Sequence, residues 1–149
     1  LLWAPLASSP LRTILSLPAL LRFRRALGVT AFVYALVHVL AYAWLDKGLV
    51  LDDIVKDLFK RNFILVGALA FLLMTPLALT SFNSAVRALG GRRWQWLHKL
   101  VYAVAVLTLL HFFWMKSGKN DYAEVSVYAL ILAGLLGWRF GRYSSRVGA

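Results

Sequence analysis

The stretch that decides the fold is WQWLHKLVYAVAVLTLLHFFW, which runs from Trp94 to Trp114. Lys99 is its only charged residue, and an α-helix of this length reaches across the hydrocarbon core of a bilayer at about 1.5 Å per residue. His98 lies near one end of the stretch and His111 near the other. We therefore expect one continuous membrane-spanning helix that carries two histidines.

The overall composition also indicates a membrane protein. The 149 residues are 61% hydrophobic and only 15% charged, and the mean hydropathy is +0.71, outside the range of soluble globular proteins. The chain has no cysteine, which excludes disulfides, iron–sulfur clusters and covalently attached haem within these residues. The net charge of +11 would suit nucleic-acid binding, but we exclude that class because the positive charges border apolar segments.

Hydrophobic runs divide the chain into membrane-spanning segments. We predict an all-α integral membrane protein in which residues 1–149 form a single domain, a helical bundle. Its four complete transmembrane helices are expected at about 26–45, 62–80, 94–114 and 122–140. The apolar residues Leu1 to Ala7 are too few to span a bilayer, so we interpret them as the tail of a truncated helix in a chain whose N-terminal part is missing. A short surface helix is expected between the first two spans, where Ile54, Val55, Leu58 and Phe59 alternate with charged residues.

The charges are sorted between the two ends of these spans. All six acidic residues and six of the 17 basic residues fall on one side, so the remaining basic residues and the whole net charge fall on the other. An excess of Lys and Arg marks the cytoplasmic side of a membrane protein. We therefore predict that the basic loops and the C-terminus are cytoplasmic and that the chain crosses the membrane several times.

The three histidines all lie in apolar segments, where an imidazole is costly unless it has a partner. His38 lies about 20 Å beyond Arg25 along its helix, and His111 lies about 25 Å beyond Trp94 along another, both measured from the cytoplasmic end. The two imidazoles are thus expected at a similar depth in the outer half of the bilayer. A neutral imidazole is a good axial ligand for haem iron. We predict that His38 and His111 bind one b-type haem from opposite sides.

His98 lies near the cytoplasmic surface, too far from His111 to bind the same iron. No second histidine exists at its level, and Arg25 occupies the corresponding position on the other helix. A guanidinium is a poor iron ligand but suits a haem propionate or a phosphate, and this applies to Arg24 as well. For a second haem the sequence therefore offers one iron ligand, His98, and leaves the other ligand unidentified. The alternatives stay open: His98 could reach water or a headgroup, and both arginines could be an ordinary positive-inside flank.

Several motifs resemble one family. They are GRRWQWLHKLVY at 91–102 followed by HFFW at 111–114, RRALG at 24–28 leading to His38, KRNF at 60–63, and LTS at 79–81. Together they are similar to the MsrQ (YedZ) family, the haem-binding membrane subunit of the periplasmic protein-methionine-sulfoxide reductase system. That family belongs to the ferric-reductase-like transmembrane group, which is related to the membrane part of NADPH oxidases. His38, His98 and His111 fall on the family's histidine positions, whereas NADPH oxidases carry a paired histidine where this chain has Arg25.

The resemblance implies a six-helix protein, of which this chain would lack the first helix and most of the second. It implies a haem b electron conduit in the bacterial inner (plasma) membrane, in contact with membrane lipid and with no nucleic acid. Electrons would come from the quinone pool or a reduced flavin. They would pass to a separate partner, a periplasmic molybdopterin-containing reductase that acts on methionine sulfoxide in proteins. FMN is also associated with the family, but no residues here place it. The chain would be a redox subunit, and it offers no catalytic residues of its own.

Two other functions fit the same residues. A cytochrome-b561-like or ferric-reductase protein would deliver electrons to another acceptor. A transporter would use the histidines as a proton relay, although carboxylates, the usual relay partners, are missing from the middle of the spans. For the first function, we expect Asp52, Asp53 and Asp57 in the outer connection to form a docking surface for a soluble partner.

Overall fold

The computed structural model describes residues 3, 6–7, 20–117 and 122–147, and from Leu20 onward these residues contain seven α-helices and one π-helical turn. In chain order they are α1 (Leu20–Ala41), a π-helical turn (Tyr42–Asp46), α2 (Leu51–Lys60), α3 (Asn62–Leu79), α4 (Asn83–Leu89), α5 (Gly91–Leu97), α6 (Leu100–Ser117) and α7 (Ala123–Val147). The prediction of an all-α fold is confirmed for these residues. The predicted surface helix is also confirmed, since it corresponds to α2.

Three segments among the described residues are long and apolar enough to cross a membrane: Phe23–Asp46, Asn62–Leu79 and Gly91–Ser117. They correspond to the predicted spans at 26–45, 62–80 and 94–114. Helix α7 begins one residue after the start of the fourth predicted span, 122–140, and contains the rest of it, but its role as a transmembrane helix stays a prediction. Most of the apolar tail predicted at Leu1 to Ala7 lies outside the described residues.

The prediction of one unbroken helix from Trp94 to Trp114 is wrong. Helix α5 ends at Leu97 and α6 begins at Leu100, and a turn at His98 and Lys99 joins them. At this turn the backbone N–H of Lys99 donates to the carbonyl of Trp96, three residues back, at 3.1 Å. Hydrogen bonds of this shorter spacing tighten the helix locally. His98 therefore lies on a turn between two helices.

The chain reverses between α1 and α2 through an unusual backbone. Gly48 and Leu49 both adopt positive φ angles, of 56° and 63°. Their N–H groups donate back to the carbonyls of Trp44 and Ala43, at 3.0 and 2.8 Å, which closes the end of the π-helical turn. A left-handed conformation costs a leucine about 1–2 kcal/mol, so this turn is stabilised by its neighbours.

Helix α3 is central in the bundle, since it packs along α6 and also contacts α1 and α2. Ala31 of α1, Met74 of α3 and Val104 of α6 meet in one buried cluster. Further along α6, Ala105 packs with Leu132 of α7 and with Leu6. The same three helices also meet toward the end of the bundle that carries α2, where His38 of α1 and His111 of α6 are neighbours and His111 contacts α3.

Candidate functional site: a histidine pair and an arginine-lined cavity

The structure brings His38 of α1 and His111 of α6 together. Their ring centroids are 6.3 Å apart, and the ring planes are inclined at 81°. A metal–imidazole bond is about 2 Å long and the ring centre lies about 1 Å farther, so two imidazoles on opposite sides of one metal have centroids about 6 Å apart. The depth-based expectation that these two side chains meet is confirmed, and their separation fits a shared metal ion.

The ring of His111 is held by a hydrogen bond to α3. Its Nδ1 lies 2.6 Å from the backbone carbonyl oxygen of Phe63. A carbonyl can only accept, so Nδ1 carries the proton and donates it. Nε2 is then unprotonated and available to a metal, an arrangement that is usual for histidines that bind metal ions.

Gly67 makes room for this ring. A Cβ at that position would lie 2.7 Å from Nδ1 of His111 and 2.9 Å from its Cε1. The imidazole therefore packs directly on the backbone of α3, one helical turn from Phe63. Sequence reasoning missed Gly67, and the only available signal was a glycine inside an apolar span.

A separate cavity of about 500 Å³ lies toward the other end of the bundle. Its lining includes Arg24, Arg25 and His98, together with apolar side chains such as Phe32 and Met74. The three residues predicted to form an inner cofactor site are therefore brought together. Neither His38 nor His111 lines this cavity, so the two sites are distinct.

Thr80, at the end of α3, orients His98. The hydroxyl of Thr80 donates to the carbonyl of Pro76 at 2.6 Å and lies 3.2 Å from Nε2 of His98. Because the single hydroxyl proton is used, the hydroxyl accepts from Nε2–H, which leaves Nδ1 unprotonated. Trp94 stacks on the imidazole with centroids 4.0 Å apart, and its indole N–H donates to the carbonyl of Thr80 at 2.8 Å.

The cavity is positively charged at its polar end. Arg25 donates to the side-chain oxygen of Asn83 at 2.7 Å, and its guanidinium lies 5.8 Å from the ring centre of Phe82. Arg24 and Lys99 line the same cavity, and none of the described residues that line it is acidic. Such a surface suits an anionic group such as a carboxylate or a phosphate.

A third polar group, at the end of the bundle that carries α2, is centred on Asp57 of that helix. The carboxylate accepts from the hydroxyl of Tyr42 at 2.7 Å and from Nε of Arg61 at 2.8 Å. A second guanidinium nitrogen of Arg61 also donates to it, and Nζ of Lys47 lies 2.8 Å away. The hydrogen bonds from Arg61, followed by those from Lys47 and Tyr42, lower the pKa of Asp57 although burial opposes the shift.

The docking surface predicted at Asp52, Asp53 and Asp57 is wrong for Asp57. Only 8% of this residue is exposed, because its carboxylate points inward to Tyr42, Lys47 and Arg61. Asp52 and Asp53 are exposed on the same helix.

Comparison with known proteins identifies similar sequences. The sequence pattern of the family described as "Ferric reductase like transmembrane component" matches residues 2–109. Three relatives named "Protein-methionine-sulfoxide reductase heme-binding subunit MsrQ" are 60%, 50% and 52% identical to the chain, from Polaromonas naphthalenivorans, Ralstonia nicotianae and Azospira oryzae. The alignments cover 90%, 99% and 93% of this chain, and 61%, 71% and 59% of the relatives. The chain thus spans about three fifths of the length of two of them. No solved structure matches the chain.

Proposed function

We propose that this chain, which belongs to the MsrQ family of ferric-reductase-like transmembrane proteins, carries electrons across a membrane through b-type haem. The observation that carries this proposal is the pair of imidazoles from α1 and α6, 6.3 Å apart. His38 and His111 would hold the iron of a haem near the end of the bundle that carries α2. When bound, the haem iron supplies reversible one-electron chemistry.

The protein's own contribution at this site is orientation. The carbonyl of Phe63 accepts the Nδ1 proton of His111, so Nε2 would be the nitrogen that holds the iron. Gly67 lets the imidazole lie against α3. These two contacts would hold the imidazole in one orientation whether or not the cofactor is bound.

The arginine-lined cavity is the proposed site of a second b-type haem. Its volume of about 500 Å³ lies in the range of cofactor sites, and His98 offers a ring nitrogen as an iron ligand. Arg24 and Arg25 would bind the propionate groups. Two haems at different depths would give the electron two successive positions along the membrane normal.

The charge distribution supports an orientation for the two sites in the membrane. We place the basic ends of the helices, and therefore His98, on the cytoplasmic side of a bacterial inner membrane. Electrons from the quinone pool or a reduced flavin would enter there and leave near His38 and His111. The proposed acceptor is a periplasmic molybdopterin-containing reductase that reduces methionine sulfoxide in proteins.

Visible spectroscopy of the full-length protein, purified in detergent after expression with excess haem, tests the proposal. The unaltered protein should show the Soret band and α-band of haem b, and His38→Ala or His111→Ala should remove the outer haem. His98→Ala should spare it, and Tyr34→Ala, one helical turn before His38 on α1, is the matched control. A haem-replete preparation without a Soret band would exclude the function. If His98→Ala alone removed all haem, the assignment of the ligand pair would be wrong.

The donor and acceptor need a separate test. The haem-loaded protein in vesicles should transfer electrons from a reduced quinone to a purified periplasmic methionine sulfoxide reductase. Reduction of ferric chelates with no reduction of methionine sulfoxide would instead indicate a ferric reductase.

A further inference from the structure

We infer that Asp57 is a positioning residue for the outer histidine pair: its carboxylate ties the helix that carries His38 to the segment that holds His111. The inference rests on the proposed function, since it concerns the same pair. Asp57 belongs to the surface helix α2, yet only 8% of it is exposed. It therefore acts inside the bundle, at the outer ends of α1 and α3.

The first connection runs to α1. Tyr42 follows His38 by one helical turn, and its hydroxyl donates to Asp57 at 2.7 Å. The ammonium group of Lys47, just beyond the π-helical turn, lies 2.8 Å from the same carboxylate. The outer end of α1, where the backbone departs from α-helical geometry, is thus fixed to α2 by two contacts. Movement of this end would move His38.

The second connection runs to His111 through two further side chains. Nε of Arg61 donates to Asp57 at 2.8 Å, and the guanidinium lies 5.5 Å from the ring centre of Phe63. The ring of Phe63 lies 6.1 Å from that of His111, and the carbonyl of Phe63 accepts the Nδ1 proton of the same histidine. A continuous series of contacts therefore joins the carboxylate to the imidazole.

One carboxylate between two cations and a phenol is a strong anchor, since hydrogen bonds between charged groups are roughly twice as strong as neutral ones. Its loss would leave Lys47 and Arg61 near each other without the intervening negative charge. The same anchor could also serve only to hold α2 on the bundle. The two roles differ in one observable: a positioning role changes the angle between the two imidazole planes, and a purely stabilising role does not.

The experiment uses the full-length, haem-loaded protein. Electron paramagnetic resonance of the oxidised low-spin haem is the main measurement, because its g-values depend on the angle between the ligand planes. Asp57→Asn should shift the g-values of the outer haem and release haem to apomyoglobin several-fold faster than the unaltered protein. Asp57→Glu should restore part of both properties. Asp52→Asn and Asp53→Asn, exposed on the same helix, are the matched controls and should change neither.

Two outcomes would overturn the inference. One is a protein with Asp57→Asn that unfolds at a lower temperature while its g-values and haem release stay unaltered. If the Asp57→Asn variant does not fold, Tyr42→Phe takes its place, because it removes only the contact on the His38 side. Unaltered g-values in Tyr42→Phe are the second outcome that would overturn the inference. Absence of haem from the unaltered protein would instead contradict the proposed function, so the two failures are distinguishable.

Discussion

The imidazole of His111 lies so close to Gly67 that a Cβ at the glycine would be 2.7 Å from Nδ1. A distance of 2.7 Å between that Cβ and Nδ1 would be shorter than any normal van der Waals separation. Helices α3 and α6 can therefore approach this closely only because residue 67 has no side chain, and the position of the imidazole depends on that.

Gly67→Ala should therefore reduce haem binding while it leaves the helices intact. Alanine favours a helix over glycine by about 1 kcal/mol, so α3 itself should not weaken. The ring of His111, however, must move away and lose its hydrogen bond to Phe63. We expect the ratio of haem to protein to fall several-fold, measured as the pyridine haemochromogen, with unchanged helical circular dichroism.

Gly134→Ala provides the control for this prediction, because a Cβ at Gly134 meets nothing within 4 Å. Full haem content and an unaltered spectrum in the Gly67→Ala protein would show that the imidazole does not need this space.

The angle between the two imidazole planes gives a second prediction. His38 and His111 are inclined at 81°, close to perpendicular. A low-spin ferric haem with nearly perpendicular axial imidazoles gives a highly anisotropic resonance spectrum, whereas parallel planes give a conventional rhombic one. We expect the highly anisotropic spectrum for the outer haem. The signal of that haem is identified as the one that disappears in the His38→Ala variant. If the signal that disappears is rhombic, the perpendicular arrangement of the two rings is contradicted.

The contacts of the Asp57 carboxylate should make the folded protein less stable at acid pH. Its carboxylate faces Tyr42, Lys47 and Arg61, and these contacts hold its pKa below the ordinary value of 3.8. A carboxylate with a lowered pKa in the folded state stabilises that state above the unfolded pKa, and this contribution is lost as the pH falls through the folded pKa. Protonation of Asp57 removes the negative charge that lies beside Lys47 and Arg61 in the folded protein.

Thermal unfolding in detergent, measured from pH 7 down to pH 3, checks this prediction. The unaltered protein should lose stability from about pH 4 downward, and Asp57→Asn should be less stable at neutral pH with a flatter profile. Asp52→Asn is the control. Parallel profiles for the unaltered and Asp57→Asn proteins would show that the carboxylate contributes no linked stability.

The sequence predicted that His38 and His111 come together, but it did not predict what surrounds them. Depth along a helix depends only on the number of residues and a fixed rise, so the meeting of His38 and His111 followed from counting. The rotation of each helix and its contacts depend on residues that are distant in the chain. The hydrogen bond from His111 to Phe63 joins positions 48 residues apart, and the one from His98 to Thr80 joins positions 18 apart.

The same reason explains the break at His98 and the inward orientation of Asp57. No glycine or proline marks residues 97–100, so helical pattern alone favoured continuity there. Asp57 stands among other charged residues in a polar connection, where nothing local distinguishes an inward carboxylate from an outward one. Its partner Tyr42 belongs to the preceding span, and only the tertiary structure brings the two together.

Helix α2 provides the last prediction, which concerns the bilayer. Its apolar residues Leu51, Val55 and Phe59 recur every four positions and are exposed, with 76% of Leu51 and 78% of Phe59 accessible. Trp44 and Leu45, at the end of the first span, are exposed as well. A helix with one apolar and one charged face, next to a membrane-spanning segment, lies in the membrane interface. We expect this face of α2 to rest in the outer leaflet.

The absence of cysteine from these 149 residues allows single cysteines to report the environment of each face. A polarity-sensitive fluorophore at Phe59→Cys in lipid vesicles should emit at shorter wavelength and be quenched by brominated lipid. The same label at Lys60→Cys, on the charged face, should respond to aqueous iodide instead. Equal quenching of both labels by iodide would show that α2 stands clear of the bilayer. Shielding of the Phe59 position only after addition of the periplasmic reductase would assign the apolar face to that partner, because lipid alone would then be insufficient to cover it.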